Sequence, residues 1–121
     1  WGTRAGEDVA RAVASGDNYY LPEIAPWQYE TEAVDPALVA QDWLTIRQTM
    51  WNYVGLVRTR KRLDRAQQIL RELHLEVGRF YARSELTDGL IGLRNGIQAA
   101  LVVLLAATEA RESRGCHYRA D

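Results

Sequence analysis

Reactive side chains gather at one end of this sequence. Residues 111–121 read Arg-Glu-Ser-Arg-Gly-Cys-His-Tyr-Arg-Ala-Asp. A thiol and an imidazole could form a nucleophile–base pair if the ring reached the sulfur. Cys116 and His117 are adjacent, however, and adjacent side chains of an extended segment point to opposite sides. These two alone make no catalytic pair. Arg111, Arg114 and Gly115 have a structural reading, because basic residues and a left-handed glycine suit a helix C-terminus. Cys116, His117, Tyr118, Arg119 and Asp121 are left without a local explanation, and ordered polar residues of that kind dock onto something.

Other clusters are poorer in chemistry. The basic run Arg58, Arg60, Lys61, Arg62 and Arg65 is interrupted by Asp64, and the net charge is −1. That balance argues against nucleic-acid binding. The run opens a helix, where positive charge opposes the dipole unless an anion faces it. His74 flanks an apolar stripe with no second ligand at metal spacing, so it reads as a packed residue. Glu7-Asp8 and Glu109/Glu112 read as solvated faces and ion-pair partners. Dinucleotide, P-loop, zinc-protease, CxxC and serine-elbow motifs are missing from the sequence. The expectation is no catalytic, cofactor-binding or metal-ligating residue in these 121 positions.

The elements that position these groups are helical. Thr3 can cap a short helix over 3–15, whose thin apolar face (Val9, Val13) suits packing on a further surface. Residues 17–34 carry Pro22 and Pro26 among Tyr19, Tyr20, Trp27 and Tyr29, which predicts an extended linker lying on the helices. Asp35-Pro36 starts a helix with apolar positions Val39, Trp43, Ile46, Met50 and Val54; Gly55 ends or bends it. Thr59 caps the next, with a stripe of Leu63, Ala66, Leu70, Leu73, Val77 and Phe80. After a turn at 84–88, capped by Thr87, a third helix runs to about Ser113. Its stripe is Leu90, Leu93, Ile97, Leu101, Leu104 and Thr108, widened by Ile91, Val102 and Leu105. From Leu93 to Ala107 it is apolar on nearly every face, which predicts a central, enclosed position. Gly89, Gly92 and Gly96 predict a second backbone passing close by.

The sum is an all-α chain: an antiparallel three-helix bundle over 35–113, preceded by a terminal helix (1–16) and linker (17–34) and followed by a tail (114–121). Composition fits one domain with a core, 47% apolar and 26% charged. Lys61 is the single lysine among 15 basic residues, and arginine favours fixed ion pairs and interfaces. One cysteine, Cys116, permits no internal disulfide and fits a reducing compartment. The longest strictly apolar run, Ala99 to Ala107, is about half of the roughly 20 residues a membrane span needs. Trp1 in first position reads as the start of a fragment.

Several runs resemble a known family in order. They are Met50-Trp51-Asn52-Tyr53-Val54-Gly55-Leu56-Val57-Arg58, Arg62-Leu63, Leu93-Arg94-Asn95, and Glu112-Ser113-Arg114-Gly115-Cys116-His117-Tyr118-Arg119-Ala120-Asp121. Together they resemble the C-terminal helical domain of the succinate dehydrogenase and fumarate reductase flavoproteins. Tyr118 and the MWxxVGLVR run are most similar to the L-aspartate oxidase branch. The opening Trp1-Gly2-Thr3-Arg4-Ala5-Gly6-Glu7-Asp8-Val9-Ala10 resembles the last helix of that family's FAD domain. Gly92, Gly96 and Cys116 depart from the pattern.

The resemblance implies a cytoplasmic parent enzyme that oxidises L-aspartate to iminoaspartate with FAD in NAD biosynthesis, with quinolinate synthase a possible partner. FAD and the substrate groups would belong to other domains. Arg58, Arg94, Asn95, Glu112, Ser113, Arg114, His117, Tyr118, Arg119 and Asp121 would be motif or interface residues at a seam with the flavin and capping domains. Exposed faces would give weak self-association. Two alternatives stay open: the equivalent domain of a succinate dehydrogenase or fumarate reductase subunit, and a free-standing helical interaction module.

Overall fold

The computed structural model describes residues 1–16, 22–26 and 33–121. In chain order the elements are α1 (Gly2–Ala14), α2 (Pro36–Tyr53), β1 (Val57–Arg58), α3 (Arg60–Arg83), α4 (Asp88–Glu109) and β2 (Tyr118–Arg119). Helices α2, α3 and α4 pack on one another as a three-helix bundle, and β1 and β2 form a two-residue parallel ladder. The fold is all-α apart from that clasp.

Each bundle helix begins where a side chain satisfies an orphan N–H. Asp35 Oδ1 accepts from Ala37 N at 2.8 Å, with Pro36 in the first turn. Thr59 Oγ1 accepts from Arg62 N at 3.3 Å, and Thr87 Oγ1 from Leu90 N at 3.2 Å. The core is the meeting of three stripes. Leu63, Ala66, Leu70, Leu73 and Val77 come from α3, and Leu90, Leu93, Ile97, Ala100, Leu104 and Ala107 from α4. From α2 come Val39 and Ile46, with Val54 just beyond its end, while Trp43, Met50, Phe80 and Leu101 pack at the edge. Each fully buried leucine or isoleucine contributes about 1.5–3 kcal/mol.

Several expectations need correction. The N-cap of α1 is Trp1, with no side-chain cap bond, so Thr3 lies inside the helix rather than capping it. Its thin apolar face is left open, as the packing on a further surface would require: α1 buries no residue, and Val9 and Val13 are exposed. Residues 22–26 are exposed rather than packed, whereas Tyr19, Tyr20, Trp27 and Tyr29 lie outside the described residues. α4 ends at Glu109, not Ser113, because Ala110 turns extended and leads the chain back toward β1. Nor is α4 enclosed. Ile91, Val102 and Leu105, expected to widen its stripe, are exposed (36%, 67% and 59%), and Val102 and Leu105 form an apolar outer face with Val103 (46%). α4 is long and apolar enough by composition to cross a membrane, with a mean hydropathy of 1.7, but its inner stripe is the core of the bundle.

The glycines of α4 also differ from expectation, for no second backbone crosses them. A Cβ on Gly96 would lie 2.4 Å from the Trp43 ring, and one on Gly92 would lie 4.0 Å from it. The space left by Gly96 is filled by indole. The Arg47 guanidinium also stands over the Trp43 ring, 5.4 Å from its centroid. Gly78 of α3, by contrast, has open space where a Cβ would go.

These two helical glycines should respond oppositely to the same change. Gly78→Ala is expected to raise stability by about 0.5–1 kcal/mol through helix propensity. Gly96→Ala should lower it by about 1–3 kcal/mol, because Trp43 must move. Urea unfolding followed by circular dichroism measures both.

Candidate functional site: the closure of the C-terminal tail

Residues 110–121 fold back onto their own bundle, at the end where α2 passes into α3. The parallel ladder places Val57 beside Tyr118 and Arg58 beside Arg119. Tyr118 N donates to Leu56 O at 3.2 Å, and Ala120 N donates to Arg58 O at 2.9 Å. Before the ladder comes a tight turn in which Arg114 and His117 exchange backbone hydrogen bonds of 2.9 and 3.0 Å. Gly115 has φ +55° in this turn. Its left-handed conformation was foreseen, but its place was not: it shapes the tail's turn, while Ala110 caps α4.

Arg119 is the hub. Its side chain is only 11% exposed, and Nη1 donates to Ala107 O at 3.4 Å, toward the C-terminus of α4. Nε pairs with Asp121 Oδ1 at 3.0 Å, and the Arg119 backbone N–H donates to Ser113 Oγ at 2.9 Å. A cation at a helix C-terminus and a carboxylate at a helix N-terminus are both favoured by the peptide dipoles. The tail supplies both, because Asp121 Oδ2 accepts from Arg60 N in the first turn of α3. This carboxylate is the anion that the basic run required.

His117 ties the tail to both neighbouring elements. Its Nδ1 accepts from Arg58 Nη1, while Nε2 donates to Ala110 O at 2.8 Å. That pattern is satisfied by neutral imidazole carrying its proton on Nε2. Arg58 Nε donates in turn to Val54 O at 3.2 Å, and Arg62 Nη1 to Val57 O at 3.2 Å. The carbonyls left over at the end of α2 and in β1 are thus taken up by arginines.

The closure gathers Arg58, Ser113, Arg114, His117, Tyr118, Arg119 and Asp121. Tyr118 takes part through its backbone, and the residue is 55% exposed. Glu112 and Arg114 form an exposed ion pair at 2.8 Å, which contributes little. Arg94 and Asn95 lie elsewhere, on α4, where Arg94 stands 4.9 Å over the ring of Tyr81. Cys116 is a free, exposed thiol. Among the described residues no group of three His, Cys, Asp or Glu side chains could hold a metal. Sequence reasoning missed the receiving half of the site, namely the Ala107 and Ala110 carbonyls, the Leu56 carbonyl and the Arg60 N–H. These are backbone groups, identical in every sequence until the fold places them.

This arrangement closes a helical domain. A family model described as fumarate reductase flavoprotein C-term matches residues 43–121, which include the closure and most of the bundle. The chain belongs to this flavoprotein C-terminal family. It is 37% identical over 123 aligned positions to an L-aspartate oxidase of Acinetobacter baylyi, covering 100% of this chain and 22% of that protein. It is 40% identical over 104 positions to an L-aspartate oxidase of Pseudomonas aeruginosa (84% of this chain, 19% of that protein). With one of Halobacterium salinarum it shares 39% over 125 positions (100% and 23%). The chain thus spans about a fifth of the length of these relatives.

Two carboxylates give opposite pH signatures. The Arg60 N–H, followed by Arg119, holds the Asp121 carboxyl below its ordinary value of 3.8. Its contribution is present above that value and is lost as the pH falls through the lower folded one. Asp121→Asn should lower the melting temperature at pH 7, with the gap narrowing only below about 3.8. Asp42 of α2 is shifted upward, first by desolvation and then by the charge of Glu76. Its ionised form opposes folding above the raised value. Asp42→Asn should raise the melting temperature at pH 7, and the gain should vanish in acid. Thermal unfolding from pH 2.5 to 7 reads both.

Proposed function

We propose that this chain is the C-terminal helical domain of an L-aspartate oxidase and that its own role is structural. The observation that carries the proposal is likeness to L-aspartate oxidases along the full chain, at 37% and 39% identity. The family model alone fits succinate dehydrogenase and fumarate reductase flavoproteins equally well; the relatives favour the oxidase. The parent enzyme oxidises L-aspartate to iminoaspartate with FAD held by its preceding domains, in the cytoplasm, within NAD biosynthesis. Quinolinate synthase is then the enzyme that acts beside it.

Arg58, Ser113, His117, Arg119 and Asp121 spend their hydrogen bonds inside the chain. They support the shape of the domain before they support any seam. Contact with the flavin and capping domains falls to the faces left open: α1, which buries nothing, and the apolar outer face of α4. Detached, these faces give weak self-association.

A chimera tests the assignment. In the A. baylyi oxidase, the matched C-terminal region is replaced by residues 1–121 or deleted. The chimera should retain FAD and aspartate oxidation, and the deletion should lose both. A chimera no better than the deletion sinks the proposal. The isolated chain should purify without flavin absorbance, turn over no aspartate, and scatter light as more than a monomer at high concentration. Flavin bound near one equivalent would contradict the structural role.

A further inference from the structure

One polar cleft takes no part in the closure. It lies between α3 and α4, has a volume of about 470 Å³, and is lined by His74, Val77, Gly78, Tyr81, Arg94 and Gln98. The spacing places these groups together. His74, Gly78 and Tyr81 share one side of α3, and Arg94 and Gln98 are four residues apart on the antiparallel α4. Gly78 has nothing within 4 Å of where its Cβ would be, which leaves the floor open.

The cleft is rich in donors. Arg94 is half-buried, and its guanidinium carbon lies over the Tyr81 ring, 4.9 Å from the centroid, a cation–π contact. A guanidinium has five N–H donors, so one ring contact leaves donors for another partner. Among the described residues Arg94 has no ion pair and no hydrogen-bond acceptor, and the half-buried His74 ring has no hydrogen bond. No carboxylate lines the cleft. A planar cation with unused donors, flanked by imidazole and amide donors, is matched by a planar anion that accepts two bonds side by side.

We propose that this cleft recognises a carboxylate, with Arg94 as its anchor and His74 and Gln98 as flanking donors. The carboxylate comes either from a small free acid or from an Asp or Glu side chain of another segment. The inference stands apart from the oxidase assignment, since it uses only α3 and α4 of this chain.

Chain 1–121, labelled with ¹⁵N, is titrated with succinate and, separately, with an aspartate whose amino and carboxyl termini are blocked. Chloride at matched ionic strength is the control. Saturable shifts at Arg94 Nε and the His74 ring are expected with at least one carboxylate. Arg94→Gln should weaken binding at least tenfold, and Arg79→Gln, an exposed arginine outside the cleft, should leave it unchanged. Tighter binding of succinate assigns a free acid; tighter binding of blocked aspartate assigns a side chain. The proposal is overturned if neither binds, if chloride gives the same shifts, or if the two arginine variants behave alike.

Discussion

Everything in this domain depends on one stripe meeting another. Leu63, Leu70 and Val77 of α3 share one buried cluster with Leu93, Ile97 and Leu104 of α4. Two antiparallel helices of 24 and 22 residues, joined by a short turn, make a hairpin whose inner face cannot be left in water. α2 covers the remaining groove with fewer buried residues, and its shortfall is met by an indole set into the gap that Gly96 leaves. The hairpin also fixes where the chemistry lies. It brings the N-terminus of α3 and the C-terminus of α4 to one end, a positive and a negative peptide dipole side by side.

The tail is the answer to that end. Asp121 meets the positive terminus, Arg119 reaches toward the negative one, and the two side chains bond to each other. His117 and Arg58 then join the tail to the passage between α2 and α3. A motif dense in charge is easily read as catalytic. Here its charges complement dipoles that the helices generate.

The three bundle helices and their starts were legible in the sequence, because both are local. Asp35-Pro36, Thr59 and Thr87 are caps that announce themselves, and the stripe from Leu63 to Val77 has one possible period. What escaped was non-local. Two-residue strands such as Val57–Arg58 carry no pattern, and their pairing depends on residues sixty positions away. Gly96 showed that a side chain was missing, but only the fold could say that Trp43 fills the space. The end of α4 was misplaced because Arg111, Arg114 and Gly115 are ordinary helix-ending residues, whereas here the chain leaves the helix at Ala110 and Gly115 shapes a later turn. Motif residues of the tail were identified by resemblance, while their partners, being backbone atoms, had no signature.

The ladder between β1 and β2 has a consequence for the order of folding. Joining residues that far apart in an open chain carries a large loop entropy, which grows with the logarithm of the separation. Once the α3–α4 hairpin has formed, the effective loop shrinks to the few residues beyond Glu109 and before Arg60. The clasp therefore forms late and opens first, without unfolding the bundle beneath it. Hydrogen exchange at Tyr118 and Ala120 would report this local opening, separate from the slower exchange of the leucines in the core.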